Sequence, residues 1–491
     1  MGKIPDEIMR HRLPGTEIKR VGGRFYIQRV KCVWVPEEKK RRKVVLEFIG
    51  SVTSEGIQPK RTRRVSTKAV LYSKEYGATW AAKQVSGDIL ECLERHFGDE
   101  ADWLYVVALI RCVHPSAMRY IEHKYETSYI SEALPGLDMR SESLSARMNA
   151  LGRNRDGMCA FMREFVPSGD WFAIFDGTSI VCRSKNIREA QYGYNGRGGY
   201  SPQVNLMYAV ALKDDGIAPV FYKRYPGSIR DVSAFRNMAN EMGLATALVI
   251  ADKGFTKKSE CERLQRDGLS YIMPLRRNSR EYSREPLRKA GRTGFHGRFK
   301  YNGRIVWYVG ESPAAGAFHK YCLYLDENLY HAETVSRITD KIGEESPDAL
   351  LKATEKQLEF GTFVLRTNLL DISPETIYRA YKTREEVEQL FDMYKCEEQF
   401  ATTGMHSAET QEACLFINHL SLMTAYRIYD RLKKNGKLKD YAVQKTLEHL
   451  LKDIRVSRFG DNQWQLEPVP KAARLALDAI GLTLPDSPGS I

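Results

Sequence analysis

From residue 170 onward, strand-like and helix-like stretches follow one another in an order that few architectures accommodate. Trp171-Phe172-Ala173-Ile174-Phe175 is a continuous apolar run of buried-strand type, stopped by Asp176-Gly177. After a glycine-rich segment at 193–199, Asn205 to Lys213 and Ile217 to Tyr225 read as two more strands. The turn signal Asp214-Asp215-Gly216 joins them into a hairpin. Asp231 is placed to cap a helix running to Met242, with Gly243 as its stop. Ala247 to Ala251 is a fourth strand ending at Asp252, and a helix follows from Lys257 to the Gly268 stop. Gly361 to Arg366 is a fifth strand. Ser373-Pro374-Glu375 then opens a long helix, with Ser as N-cap, Pro at the first position and an acid in the first turn. A meander followed by strand–helix crossovers implies an α/β layer fold with helices against a mixed sheet. Residues 276–360, strand-like, aromatic and irregular, interrupt it.

Around this core, residues 23–50 read as short strands flanking a charged hairpin tip, 59–68 as a basic linker, and 75–165 and 408–455 as helical. The resulting division is 1–68 (basic, strand-rich), 69–165 (helical), 166–275 (first part of the α/β core), 276–360 (β-rich insertion), 361–415 (second part of the core) and 416–491 (helical).

The longest apolar run, Trp103 to Ile110, falls far short of the ~18–20 residues a membrane span needs, and no apolar leader opens the chain. Nine scattered cysteines form no Cys-x2-Cys pair, which fits reduced thiols in a cytoplasmic protein without a disulfide framework or zinc ribbon. Charge is more telling. Residues 1–68 hold 18 Lys/Arg against 7 Asp/Glu and residues 276–304 hold 10 against 2, which leaves the rest of a +13 chain net acidic. Two basic blocks, the second opening on Arg276 and Arg277, point to localised polyanion contacts. Taken alone, Lys39 to Lys43 fits a solvated hairpin loop equally well.

Three acids stand out. Asp176 and Asp252 each close an apolar strand, where open α/β sheets bind ligands, although a lone Asp after a strand is more often a turn former. Glu388 lies on the long helix. At the helical pitch Tyr381, Arg384, Glu388 and Lys395 fall within roughly 60° of one another, beside an apolar face of Val387, Leu390, Phe391 and Tyr394. The alternative is a solvated charged stripe of chance spacing. Three carboxylates suit hard divalent cations, and Arg384 and Lys395 suit flanking phosphates.

These residues closely resemble the DDE-type insertion-sequence transposases. More narrowly, the chain is similar to the branch whose ribonuclease H-like core is interrupted by a β-rich insertion and whose third acid lies in a Tyr-x2-Arg-x3-Glu-x6-Lys signature. Tyr381, Arg384, Glu388 and Lys395 match that signature at every spacing. Asp176-Gly177-Thr178 and Asp252-Lys253-Gly254-Phe255 resemble its first two acidic motifs, and Phe416-Ile417-Asn418 the segment after the signature. The resemblance covers roughly residues 170–425.

It implies an enzyme using two Mg2+ or Mn2+ ions held by Asp176, Asp252 and Glu388. Its partners are double-stranded DNA, as terminal inverted repeats and as target, and a second copy of the chain as a homodimer. It implies nucleoid-associated action in a prokaryotic cytoplasm. Relatives that release the element through a DNA hairpin flip a base onto a tryptophan. Trp307 is the candidate here, against an equally good reading as a buried strand tryptophan in Ile305 to Val309. The rivals are a ribonuclease H-like structure-specific nuclease such as a junction resolvase, an inactive DNA-binding transposase derivative, and a basic structural protein.

Overall fold

The computed structural model describes residues 4–35, 40–59, 70–168, 171–194, 199–213, 216–228, 233–244, 248–250, 258–277, 279–310, 318–339, 356–395, 405–459 and 463–488. The chain divides into two units, Met1–Ala69 and Val70–Ile491.

The first unit is an antiparallel meander of β1 (Thr16–Val21), β2 (Arg24–Val35), β3 (Lys40–Thr53) and β4 (Gly56–Pro59), paired in sequence order. Gly22 and Gly23, with φ of 56° and 80°, make the tight β1–β2 turn, which needs positive φ at both central positions. Ile8, Ile18, Ile27 and Val52 form its small core.

The second unit begins with β5 (Val70–Glu75) and continues into helices Gly77–Gln84, Gly87–Phe97, Ala101–Val113, Ile121–Thr127, Ser141–Arg153 and Arg155–Glu164. Then come β6 (Phe172–Val181), β7 (Gln191–Tyr194), β8 (Tyr200–Lys213) and β9 (Gly216–Pro226), with β8 paired antiparallel to each of the other three. Helix Ser233–Met242, β10 (Leu248–Ile250), helix Lys258–Arg266 and β11 (Ser270–Leu275) follow, β11 parallel to β10, and β10 lies against β6.

The insertion is not purely β. β12 (Gly297–Tyr301), β13 (Arg304–Gly310) and β14 (Lys320–Asp326) are joined by a 13-residue helix, Glu327–Thr339. These strands also extend the core: with β15 (Thr362–Thr367) they form one sheet in the order β10-β11-β15-β14-β13-β12. The signature helix Pro374–Lys395 is capped as expected, Thr376 N–H donating to Ser373 Oγ at 3.1 Å.

The C-terminal region holds the central helix Ala408–Lys434 and helices Val443–Asp453 and Lys471–Ala479. It also holds two strands where only helices are expected, β16 (Arg455–Phe459) and β17 (Trp464–Leu466). β16 pairs antiparallel with β5, so the first and last parts of this unit close one three-stranded sheet.

A single core runs through the helices, β6 to β11 and the central helix. Every side chain from Gln411 to Thr424 is buried, as suits a helix packed on all sides. Most of its polar residues are enclosed with partners; His419 is an exception, neither ring nitrogen having a hydrogen-bond partner among the described residues. Glu412 accepts from Arg155 Nη1 at 2.9 Å, Tyr222 Oη at 3.0 Å and Arg224 Nε at 3.2 Å, tying helix Arg155–Glu164 and β9 to it. Asn418 accepts from Arg111 Nε at 3.0 Å.

Candidate active site

Asp176 does not end its strand. β6 continues through Gly177-Thr178-Ser179-Ile180-Val181, and Asp176 pairs with Tyr208 of β8 in mid-strand. Two causes are visible: the β-branched residues after Gly177 favour extended backbone, and β8 supplies pairing partners as far as Gln203. This removes the turn-former reading for Asp176. Two residues on, Thr178 is buried and its Oγ1 has no hydrogen-bond partner among the described residues.

β10, which leads toward the second acid, packs against β6; Asp252 itself lies outside the described residues. Glu388 and Lys395 lie on the signature helix, which contacts both β6 and β9, though their side chains are outside the described set. The elements bearing the first and third acids therefore touch, and the strand leading to the second lies beside the first.

On the same helix Tyr381 and Arg384 are half-buried. Tyr381 stacks on Phe363 of β15, centroids 6.0 Å apart and planes at 30°. One turn earlier, Tyr378 is enclosed by Phe299, Tyr301, Tyr324 and Phe363. This aromatic cluster fixes the helix on the sheet, and the sequence reading missed it. Its signal was the tyrosine-rich first turns of the helix and the aromatic content of the insertion strands.

The two insertion arginines differ. Arg276 is exposed just past β11. Arg277 is committed to the protein: its guanidinium forks onto Glu333 at 2.8 Å and 2.8 Å, and its Nε donates to Thr362 O at 2.8 Å. Trp307 is a half-buried tryptophan on β13, opposite Arg298 of β12. The Arg298 guanidinium sits 5.1 Å from its ring centroid, and Phe295 lies 6.1 Å away. Its Nε1 is buried with no hydrogen-bond partner among the described residues.

Among the described residues, one cluster has metal-ligand geometry: Cys92 and His96 on helix Gly87–Phe97 with Glu164 on helix Arg155–Glu164. Arg95 already forks onto both oxygens of Glu164, and His96 Nε2 lies 2.5 Å from the Oε1 that Arg95 Nε also meets. Burial, then the Glu164 charge, pushes the Cys92 thiol up to about 12, against the thiolate a metal would need. None of these residues lies on an element bearing a candidate acid.

The described fold is thus a mixed α/β domain with candidate acids on a strand and on a helix in contact with it. Residues 167–423 match the family model described as a transposase DDE domain. The chain belongs to that family, whose members are transposition enzymes acting on DNA with a divalent metal, generally magnesium. No curated protein matches it. Among the described residues, no helix is long and apolar enough to cross a membrane.

Proposed function

We propose that the protein is a transposase that binds the terminal inverted repeats of its own element, cuts at the element ends and joins the 3′ ends to target DNA as a homodimer, acting at the prokaryotic nucleoid. The family match over 167–423 carries this reading. The contact of the signature helix with β6 supports it further.

We read the core as ribonuclease H-like: β6, β8 and β9 antiparallel, β10 against β6, β11 parallel to β10, and the signature helix across them. Asp176, Asp252 and Glu388 form an all-oxygen donor set suited to magnesium or manganese. Two such ions, when bound, supply activation of the attacking hydroxyl and stabilisation of the leaving 3′ oxygen. The chain's own groups do the positioning. Arg384 and Lys395 hold the phosphates flanking the scissile bond, and Tyr381, braced by Phe363, packs on the adjoining sugar. Exposed Arg276 meets DNA backbone, whereas Arg277 would first have to leave Glu333. Trp307 could receive a flipped base only after Arg298 leaves its ring face. The two basic regions, 1–68 and the start of 276–360, grip DNA, and 69–165 contributes to binding or dimerisation.

The test is incubation of the purified chain with a duplex carrying the inverted repeat that flanks its gene, in Mg2+ and in EDTA. Metal-dependent cleavage at the repeat boundary is expected. Cutting of branched DNA with the repeat duplex left intact would instead make it a structure-specific nuclease.

A further inference from the structure

Strands β2 and β3 outrun the sheet they belong to. β1 pairs with β2 only over Arg24 to Arg29, and β4 pairs with β3 only over Gly50 to Thr53. Beyond these spans, among the described residues, the two strands pair as a ladder with each other from Val30↔Val45 out to Val35↔Lys40, Val30 N–H also donating to Gly15 O at the ribbon's base. The register shifts between Ile27 and Gln28 and again between Arg29 and Val30, where the ribbon leaves the sheet. Bulges of this kind bend a strand and sharpen its twist.

The small core of the unit stops at the ribbon's base. Every residue from Lys31 to Trp34 and from Lys40 to Phe48 is exposed, including Trp34 at 56% and Leu46 at 58%. A sheet ordinarily hides one face; this ribbon hides neither. A two-stranded hairpin is marginal on its own in water, so apolar residues on both of its faces do little for the fold.

Cross-strand partners share a face. Arg42 with Val33 and Val44 with Lys31 lie on one face; Arg41 with Trp34 and Lys43 with Cys32 lie on the other. Both faces therefore mix cations with apolar side chains. A flat protein or lipid surface could satisfy only one of them. A groove walled by two rows of phosphates satisfies both.

We propose that the β2–β3 ribbon enters the major groove of duplex DNA, its cations reaching the phosphates on the two walls and Trp34, Val33 and Val44 packing on the base edges. The inference rests on the DNA-acting function above. The major groove, about 12 Å wide, admits a two-stranded ribbon. Six residues at about 3.3 Å each give the arm a reach of roughly 20 Å. Edge-to-edge pairing with a second copy is opposed by the like charges of Lys40 to Lys43.

The test compares the full-length protein with the variant Lys40→Ala/Arg41→Ala/Arg42→Ala on a mixed-sequence duplex. Lys43 is left in place because it is drawn back to Glu17 at 3.1 Å. Affinity is read by fluorescence anisotropy across a salt series, and major-groove occupancy by protection of guanine N7 from methylation. The triple variant should melt like the parent, bind at least about tenfold more weakly, lose about two to three from its log–log salt slope and lose the N7 protection. A second variant, Trp34→Ala, should weaken binding with the salt slope unchanged.

Unchanged affinity, slope and footprint in the triple variant overturn the ribbon assignment while leaving the DNA-acting function standing. Binding without N7 protection in the parent overturns the groove. A sedimentation change in Trp34→Ala with DNA binding intact would mean that a second copy covers the arm, and overturns it too. Failure of the parent to bind any duplex sinks the DNA-acting function itself.

Discussion

The central helix and the β2–β3 ribbon put apolar residues to opposite uses. The helix Ala408–Lys434 hides Gln411 to Thr424 completely, and Glu412 and Asn418 within that stretch are enclosed with charged or polar partners. The ribbon leaves both faces in water and mixes cations with valine, leucine and tryptophan. An unmatched polar group costs free energy inside a buried helix, so most of its polar side chains, Glu412 and Asn418 among them, are spent on internal partners. The ribbon makes few such commitments, Lys43 to Glu17 among them, and its exposed side chains lie where a partner can reach them.

If that contrast holds, substitutions should fall steeply in effect from one region to the other. The largest effect is expected from Glu412→Ala, which leaves the Arg155 and Arg224 guanidiniums without their shared carboxylate. Breaking a buried ion pair from one side costs about 3–5 kcal/mol, readable as a large fall in Tm. Arg155 keeps Glu241 at 3.1 Å, so a near-normal Tm would mean that this second acid suffices.

Gly152→Ala comes next. A Cβ there would lie 1.8 Å from the Glu409 carbonyl oxygen, so helix Ser141–Arg153 would have to back away from the central helix. Overpacking of this kind costs about 1–3 kcal/mol or more in chemical denaturation. An unchanged midpoint would show that the two helices are not so closely seated.

His419 sharpens the comparison through pH. Burial, with the Arg155 charge behind it, depresses its imidazole to about 3, and it lies between the Tyr208 and Tyr222 rings at 5.7 Å and 5.4 Å. The folded chain keeps it neutral, while the unfolded chain protonates it below about 6.5, so the unfolded state binds more protons. Its contribution is intact above that pH and is lost as pH falls toward 3. The loss is on the order of 1–2 kcal/mol at about pH 5. His419→Phe should flatten that slope; an equally steep acid limb would place the sensitivity elsewhere.

The smallest effect is expected on the ribbon. Trp34→Ser should shift stability by no more than about 0.5 kcal/mol, as for other exposed sites. A fall well above that would mean the ring is covered within the folded chain.

Segments whose signals are local were legible in sequence. The apolar runs at 172, 205, 217, 248 and 362 are strands, and the Ser373-Pro374 cap opens a helix where expected. β11 was missed because it carries Pro274, which weakens a strand pattern, and follows directly on the Gly268 stop. The β5–β16 pairing was invisible because the two strands are far apart in the chain: Arg455, whose Nε donates to Ser73 Oγ across the pair, lies 382 residues beyond it. Helix Glu327–Thr339 was lost in the irregular insertion because His331, Glu333 and Ser336 blur its apolar period. The candidate site was legible in part because the signature spacing lies on one helix. Asp176 was misplaced at a strand end because the pairing that carries β6 onward comes from β8.

The most direct test of the central claim compares Asp176→Asn, Asp252→Asn and Glu388→Gln with the parent on a repeat-bearing duplex in Mg2+, measuring binding and cleavage separately. The account predicts that each variant binds within a few-fold of the parent and cleaves at the background rate. Cleavage at the parental rate in any one of the three would contradict it.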